Sequence, residues 1–160
     1  MNHNTDHKEE NQEEHILVCL SASPSNDKII ETAAKMAHAL QSRFTALYVN
    51  NEMKQDPADK ERLEYHIRFA EELGAEIAMT HGDNVPVQIA EYARLSGVTE
   101  VVIGQSNARR SHFFSKPTLT ERLIELLPDI DIHIIPDTFY AGNYHRRHLA
   151  QYTGKPSFQD

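Results

Sequence analysis

Residues 15–48 read HILVCLSASPSNDKIIETAAKMAHALQSRFTALY, and the reading of this stretch decides the fold. Residues 15–20 form a short continuous apolar run, the composition of a strand buried on both faces. Ser21-Ala22-Ser23-Pro24 closes that run. Ile29, Ala33, Met36, Ala37 and Leu40 then fall on one helical stripe, with Ser25 or Asn26 available as N-cap. Residues 44–49 return as a second strand. A strand, a helix and a strand of these lengths make a parallel crossover unit.

The same alternation continues outward. Asp56-Pro57 opens a second helix, with an N-cap acid and proline in its first turn; its stripe of Leu63, Ile67 and Ala70 ends at Gly74. Residues 75–80 are a third strand. Asp83 or Asn84 caps a third helix carrying Ile89, Ala90 and Ala93, which Gly97 ends; residues 100–104 are the fourth strand. Thr118 and Glu121 have capping-box spacing before a fourth helix with Leu119, Leu123, Leu126 and Leu127, and residues 130–135 are the fifth strand. Five strands alternating with four helices predict an α/β fold: a doubly wound, five-stranded parallel sheet of order 3-2-1-4-5 with helices on both faces.

The flanks differ from this core. Residues 1–14 are acidic and apolar-poor and are expected to be a disordered leader. Residues 15–137 make the domain, and residues 138–160 form a polar C-terminal tail without a sustained period. No run approaches the roughly 20 apolar residues of a membrane span, and the leader lacks the apolar core of a secretion signal. A cytoplasmic location without membrane insertion is the expectation. The net charge of −8 argues against general affinity for nucleic acid, because the summed field repels phosphate chains. The one cysteine, Cys19, lies inside the first strand and is read as a buried thiol.

In the order 3-2-1-4-5 the connections reverse between strands 1 and 4, and open α/β sheets bind ligands in that crevice. Ser21, Ala22 and Ser23 face it from one side. From the other comes GQSNARRSHFFSKPT (residues 104–118), which holds Arg109, Arg110 and Lys116 with no acid. Gly104 permits close backbone approach, while Gln105, Ser106, Asn107, Ser115 and Thr118 add neutral hydrogen-bonding groups. Arginine suits phosphate because its planar fork bonds two oxygens at once. Thr45, Leu47 and Tyr48 on strand 2 are expected beside the serines, as a wall for a purine ring. Phe44 is read as core. The opposing interpretation keeps the serines as turn formers and the arginine loop as a solvated surface.

An enzyme fits poorly. The proposed mouth has no Ser/His/acid set, nucleophile elbow or metal-spaced cluster, and no GxxxxGK[ST] loop appears. His3 and His7 lie in the leader, and most other histidines are expected on helix surfaces. His145 and His148 have helical i,i+3 spacing, but flanking arginines repel a cation and no third ligand is evident. No metal or cofactor is expected.

The segments ILVCLSASPSNDKIIETAAKMAHAL, FTALYV, IAEYARLSGVTEVVIGQSNARR and FFSKPTLTERLIELLPDIDIHIIPD together resemble the universal stress protein domain. The likeness is closest to the version carried by the bacterial potassium-responsive sensor kinases of the KdpD type, and it covers nearly all of residues 15–137. It implies an adenine nucleotide alpha hydrolase-like fold. In staphylococcal-type members, Ser-x-Ser, twenty residues, then Phe-Thr-Ala-x-Tyr marks binding of cyclic di-AMP. Here Ser21-Ala22-Ser23, residues 24–43 and Phe44-Thr45-Ala46-Leu47-Tyr48 match without a gap.

ATP-binding relatives carry Gly-x2-Gly-x9-Gly-Ser/Thr after strand 4. This chain keeps Gly104 and Thr118 but has Asn107 and Pro117 at the other glycine positions, which weakens a triphosphate cradle. The resemblance therefore implies a non-catalytic cyclic di-AMP receptor, linked to potassium homeostasis through a potassium-transport or sensor-kinase partner protein. It also implies a homodimer through the last strand, residues 130–136. The alternatives are an ATP-binding universal stress protein and a nucleotide-free dimerising interaction module. The kinase core and membrane helices of full sensor kinases do not fit 160 residues, so the chain is either an excised domain or a short stand-alone relative, and the flanks at both ends favour the stand-alone form.

Overall fold

Two strands that are apolar along most of their length, β1 (His15–Cys19) and β4 (Glu100–Gly104), lie side by side at the centre of one sheet. In the computed structural model, which describes residues 13–52, 55–105 and 116–136, β2 (Arg43–Asn50) and β3 (Glu76–His81) continue the sheet on one side. β5 (Asp131–Ile135) closes the other. All pairings are parallel and the order is β3-β2-β1-β4-β5, as the alternation of strand and helix predicts. The register sets Leu17 between Thr45 and Val101, and Cys19 opposite Leu47. The edge strands β3 and β5 alternate in burial, because only a central strand is covered on both faces.

Four helices cover the sheet: α1 (Asn26–Leu40), α2 (Pro57–Glu72), α3 (Val85–Leu95) and α4 (Leu119–Leu126). The pleat sends alternate residues to opposite faces. Ile16, Val18, Phe44 and Ala46 pack with Ile29, Ile30, Ala33, Leu63 and Ala70 beneath α1 and α2. Leu17, Leu47, Val101 and Ile103 pack with Ile89, Ala90, Ala93 and Leu123 beneath α3 and α4. Each fully buried aliphatic side chain contributes about 1.5–3 kcal/mol by leaving water, and the two clusters hold the helices to the two faces of the sheet.

The local start and stop signals hold. Asp56 accepts from Ala58 N, Asn84 accepts from Val87 N, and Thr118 and Glu121 close a reciprocal capping box. Gly74 and Gly97, after α2 and α3, take φ of 94° and 66°, values that favour glycine. Ser25 takes the N-cap position of α1 without a side-chain capping bond, its hydroxyl being engaged by Ser23 instead. β3 begins one residue later than expected. Glu14, assigned to the leader, accepts the Thr99 hydroxyl at 2.6 Å, and its carbonyl accepts from Arg43 N. The rest of the leader through residue 12, and the tail from residue 138, lie outside the described residues, as do His145 and His148.

The histidines require a correction. His66, 2% exposed, lies on the inner face of α2 rather than on a helix surface, and His81 and His133 lie on β3 and β5, while His15 is in β1 as expected and 1% exposed. Among the described residues no helix is long and apolar enough to cross a membrane, and no group of three His, Cys, Asp or Glu side chains could hold a metal ion.

Candidate functional site

β1 and β4 end side by side while their connections leave in opposite directions, and a cleft of about 550 Å³ opens there. That volume falls within the range of small-molecule sites, about 300–1,000 Å³. Its walls are apolar: Leu47 and Val49 from β2, Val85 and Ile89 from α3, Ile103 from β4 and Leu119 from α4. Its rim is polar and comes mostly from the segment after β1, through Ser21, Ser23, Ser25 and Asn26, with Gln105 opposite. An apolar slot edged by hydroxyls and amides suits a flat heterocycle joined to a hydrogen-bonding, anionic group.

The serine loop is wired internally. Leu20 N donates to Leu47 O at 2.8 Å, which continues the strand pairing by one residue. Asn26 is 1% exposed and uses both ends of its amide, donating to Cys19 O and accepting from Ser21 N, each at 3.2 Å. Ser23 N donates to Ser21 Oγ at 3.2 Å, and Ser23 Oγ lies 3.0 Å from Ser25 Oγ. Ser21 Oγ thus serves as an acceptor within the loop and keeps its own proton for a ligand. The Ser23–Ser25 pair shares one proton between its oxygens and likewise keeps the other.

Of the candidate residues, the structure brings Ser21, Ser23, Leu47, Gly104 and Gln105 to the cleft. Thr45 does not line it. Its hydroxyl lies 2.8 Å from His15 Nε2 at the opposite, amino-terminal end of the sheet, two residues back from Leu47. Ala22 and Tyr48 belong to the face under α1 and α2, because Tyr48 alternates with Leu47; the Tyr48 hydroxyl accepts from Gln55 Nε2 at 3.0 Å. Thr118 is occupied by its cap, accepting from Glu121 N at 3.2 Å. Lys116 is exposed ahead of α4. Ser106, Asn107, Arg109, Arg110 and Ser115 lie outside the described residues.

Several residues that line the cleft or hold its serine loop are not among the candidates the sequence offers. The sequence marks Asn26 only as a cap candidate, although an amide two residues beyond Pro24 can reach back to the loop it follows. Val49, Val85, Ile89 and Leu119 form most of the apolar walls, and their signal was the same period that marks core. Arg62 and His66 of α2 hydrogen-bond the serine-loop backbone, with no local signal near the loop. Cys19 also lines the cleft, though burial pushes its thiol up to about 12, so it stays protonated and unreactive.

Gly104 sits where β4 meets α1. A Cβ built there would lie 2.5 Å from Ile29 Cδ1, the far end of a side chain that itself borders the cleft. Gly104→Ala is therefore expected to turn Ile29 toward the cavity, with a stability loss of about 1–3 kcal/mol from overpacking and a smaller site. Thermal unfolding and ligand titration of the same variant measure both parts. Full retention of stability and ligand affinity would contradict the close approach.

The universal stress protein family model matches residues 13–113. The sensor protein KdpD of Clostridium acetobutylicum is 37% identical over 147 residues, covering 90% of this chain and 16% of that protein. The chain thus spans about a sixth of the length of that relative. Among solved structures, a putative universal stress protein from Pseudomonas aeruginosa superposes with a TM-score of 0.61 at 15% identity, covering 88% of this chain and 52% of that one. A universal stress protein in complex with cAMP gives 0.59 at 15% identity, covering 78% and 98%. Those identities are low enough that the superpositions speak to fold alone, and they agree with the strand order described above. With a family match over more than half of its length and the sheet order it implies, the chain belongs to the universal stress protein family.

Proposed function

We propose that the chain is a cytoplasmic receptor domain for cyclic di-AMP, without catalytic activity, linked to potassium homeostasis signalling. The observation that carries this reading is the cleft at the β1/β4 switch point, apolar inside and edged by Ser21, Ser23 and Asn26. The ungapped Ser-x-Ser and Phe-Thr-Ala-x-Tyr pattern supports the dinucleotide as the occupant. The resemblance to potassium-responsive sensor kinases supports the physiological link. A universal stress protein of this fold has been solved in complex with cAMP, so the fold accommodates an adenine nucleotide in at least one protein. Arg109, Arg110 and Lys116, on the segment joining β4 to α4, supply the positive charge that two phosphodiesters need. The output passes to a potassium-transport or sensor-kinase protein.

Isothermal titration with cyclic di-AMP, cyclic di-GMP and ATP tests this directly. Binding of cyclic di-AMP alone is expected. Arg109→Ala or Arg110→Ala should weaken it by about 1–3 kcal/mol, the value of a charge-assisted hydrogen bond, with the unfolding midpoint unchanged. ATP binding in place of cyclic di-AMP would restore the ordinary ATP-binding assignment despite Asn107 and Pro117. Equal affinity in both arginine variants would remove that loop from the site.

A second reading, a dimerising interaction module, draws on β5. That strand pairs with β4 on one side only among the described residues, and Ile134 on it is 43% exposed. A stable dimer that binds none of the three nucleotides would favour this module over the receptor.

A further inference from the structure

Three carbonyls at the exit of β1 are each held by a side chain. Asn26 Nδ2 donates to Cys19 O at 3.2 Å, His66 Nδ1 to Ser21 O at 2.8 Å, and Arg62 Nη1 to Ala22 O at 2.8 Å. The last two come from α2, at positions i and i+4 on one helical face, 40 and 45 residues along the chain from their acceptors. His66 shares the inner stripe of α2 with Leu63 and Ala70, where an apolar residue would fill the space. Burying an imidazole there costs free energy unless its N–H finds a partner, and the partner is the serine loop. Asp59 holds the Arg62 guanidinium at 3.1 Å and so fixes its reach.

The direction of these bonds has a consequence for the cleft. A trans peptide points its N–H opposite to its carbonyl, and no peptide here is cis. With Ser21 O turned to His66, the Ala22 N–H points away from α2. With Ala22 O turned to Arg62, the Ser23 N–H does the same, and it meets Ser21 Oγ at 3.2 Å. The Ala22 N–H has no partner among the described residues. It stands between two hydroxyl-bearing residues that line the cleft.

We propose that Arg62 and His66 are positioning residues of the nucleotide site. By holding the Ser21 and Ala22 carbonyls on the α2 side, they turn the Ala22 N–H and the Ser21 and Ser23 hydroxyls toward the cleft, where a phosphate oxygen accepts them. The identity of that phosphate rests on the receptor reading above; the clamp on the loop does not. A short Ser-Ala-Ser-Pro segment without the clamp would sample several peptide orientations, and ordering it would then be charged against binding.

The test uses the full chain with Arg62→Met, His66→Leu and His66→Asn, whose Nδ2 sits close to the place of the imidazole Nδ1. Amide 1H–15N spectra report the loop without ligand, and titration with cyclic di-AMP reports the site. The expected result is a shifted Ala22 amide in Arg62→Met and His66→Leu, and affinity about tenfold weaker, a hydrogen bond's worth. His66→Asn should recover most of both. Arg62 is partly exposed, so Arg62→Met reports the clamp even if His66→Leu fails to fold. Unmoved Ala22 and Ser23 amides in folded Arg62→Met would overturn the proposal, as would unchanged affinity alongside moved amides. If the unaltered chain binds no nucleotide while the loop amides move as expected, the clamp is upheld and the receptor reading alone falls.

Discussion

Ile89→Ala is expected to destabilise the domain by about 2–5 kcal/mol, the range for removing a fully buried isoleucine. Ile89 is 2% exposed, projects from α3 into the cluster formed with Leu17, Leu47 and Ile103, and also borders the cleft. The loss has two parts: the transfer free energy of the missing carbons and the void they leave. Here the void adjoins the cleft, so part of it fills with water and the ligand's apolar wall recedes. Urea unfolding should show a lower midpoint with an unchanged slope, and nucleotide affinity should fall in the same variant. Leu95→Ala supplies the control on the same helix, since Leu95 is 89% exposed and should change stability by no more than about 0.5 kcal/mol. A loss below about 1 kcal/mol for Ile89→Ala would mean that α3 does not close on the sheet as described.

The sheet order was legible because five strands alternating with four helices, joined by right-handed crossovers, leave few arrangements. The caps were legible because Asp56-Pro57, Asn84 and Thr118…Glu121 are local chemistry, read within four residues. The faces were not taken up although their signal was present. Phe-Thr-Ala-x-Tyr was treated as one wall, yet a strand sends Leu47 and Tyr48 to opposite sides, so only one of them can line a cleft on the α3 side. Thr45 shares the face of Leu47 but sits one pleat repeat back, which puts its hydroxyl at the far end of the sheet.

Of the α2 stripe, Leu63 and Ala70 are buried as expected, but His66 takes the inner position beside them and Ile67 is only half-buried. A polar residue takes the inner position because a loop carbonyl 45 residues away awaits it, and no local period encodes that distance. The clamp and the cleft walls therefore depend on tertiary assembly, whereas strand order follows from the alternation of elements along the chain. This division explains why Ser21, Ser23, Leu47 and Gly104 reach the cleft as the sequence suggested, while Arg62, His66 and Val85 had no such signal.

His15→Leu is expected to lower stability by about 1–3 kcal/mol near pH 8, the cost of a buried polar group left unpaired, and to flatten the acid limb of the stability profile. His15 Nδ1 lies 3.0 Å from the Ser96 carbonyl, which can only accept, so Nδ1 carries the proton. Nε2 of the neutral ring then accepts from the Thr45 hydroxyl at 2.8 Å. Leucine fills much of the space but leaves Ser96 O and Thr45 Oγ1 without that partner. Burial holds His15 below its usual value near 6.5; the Ser96 bond and the Glu76 and Glu13 charges pull upward, and Arg43 pushes down. A depressed histidine means that the unfolded chain takes up the proton more readily. Stability is therefore full above about pH 6.5 and falls as pH drops through the folded-state value, by at most about 1.4 kcal/mol per pH unit for one proton. The leucine variant lacks this proton, so its stability curve should lie below that of the unaltered chain at pH 8 and converge with it toward pH 5. Chemical denaturation at half-unit steps from pH 8 to pH 5 gives both curves. If they run parallel, His15 holds its proton equally well in the folded and unfolded chain, and burial does not depress it.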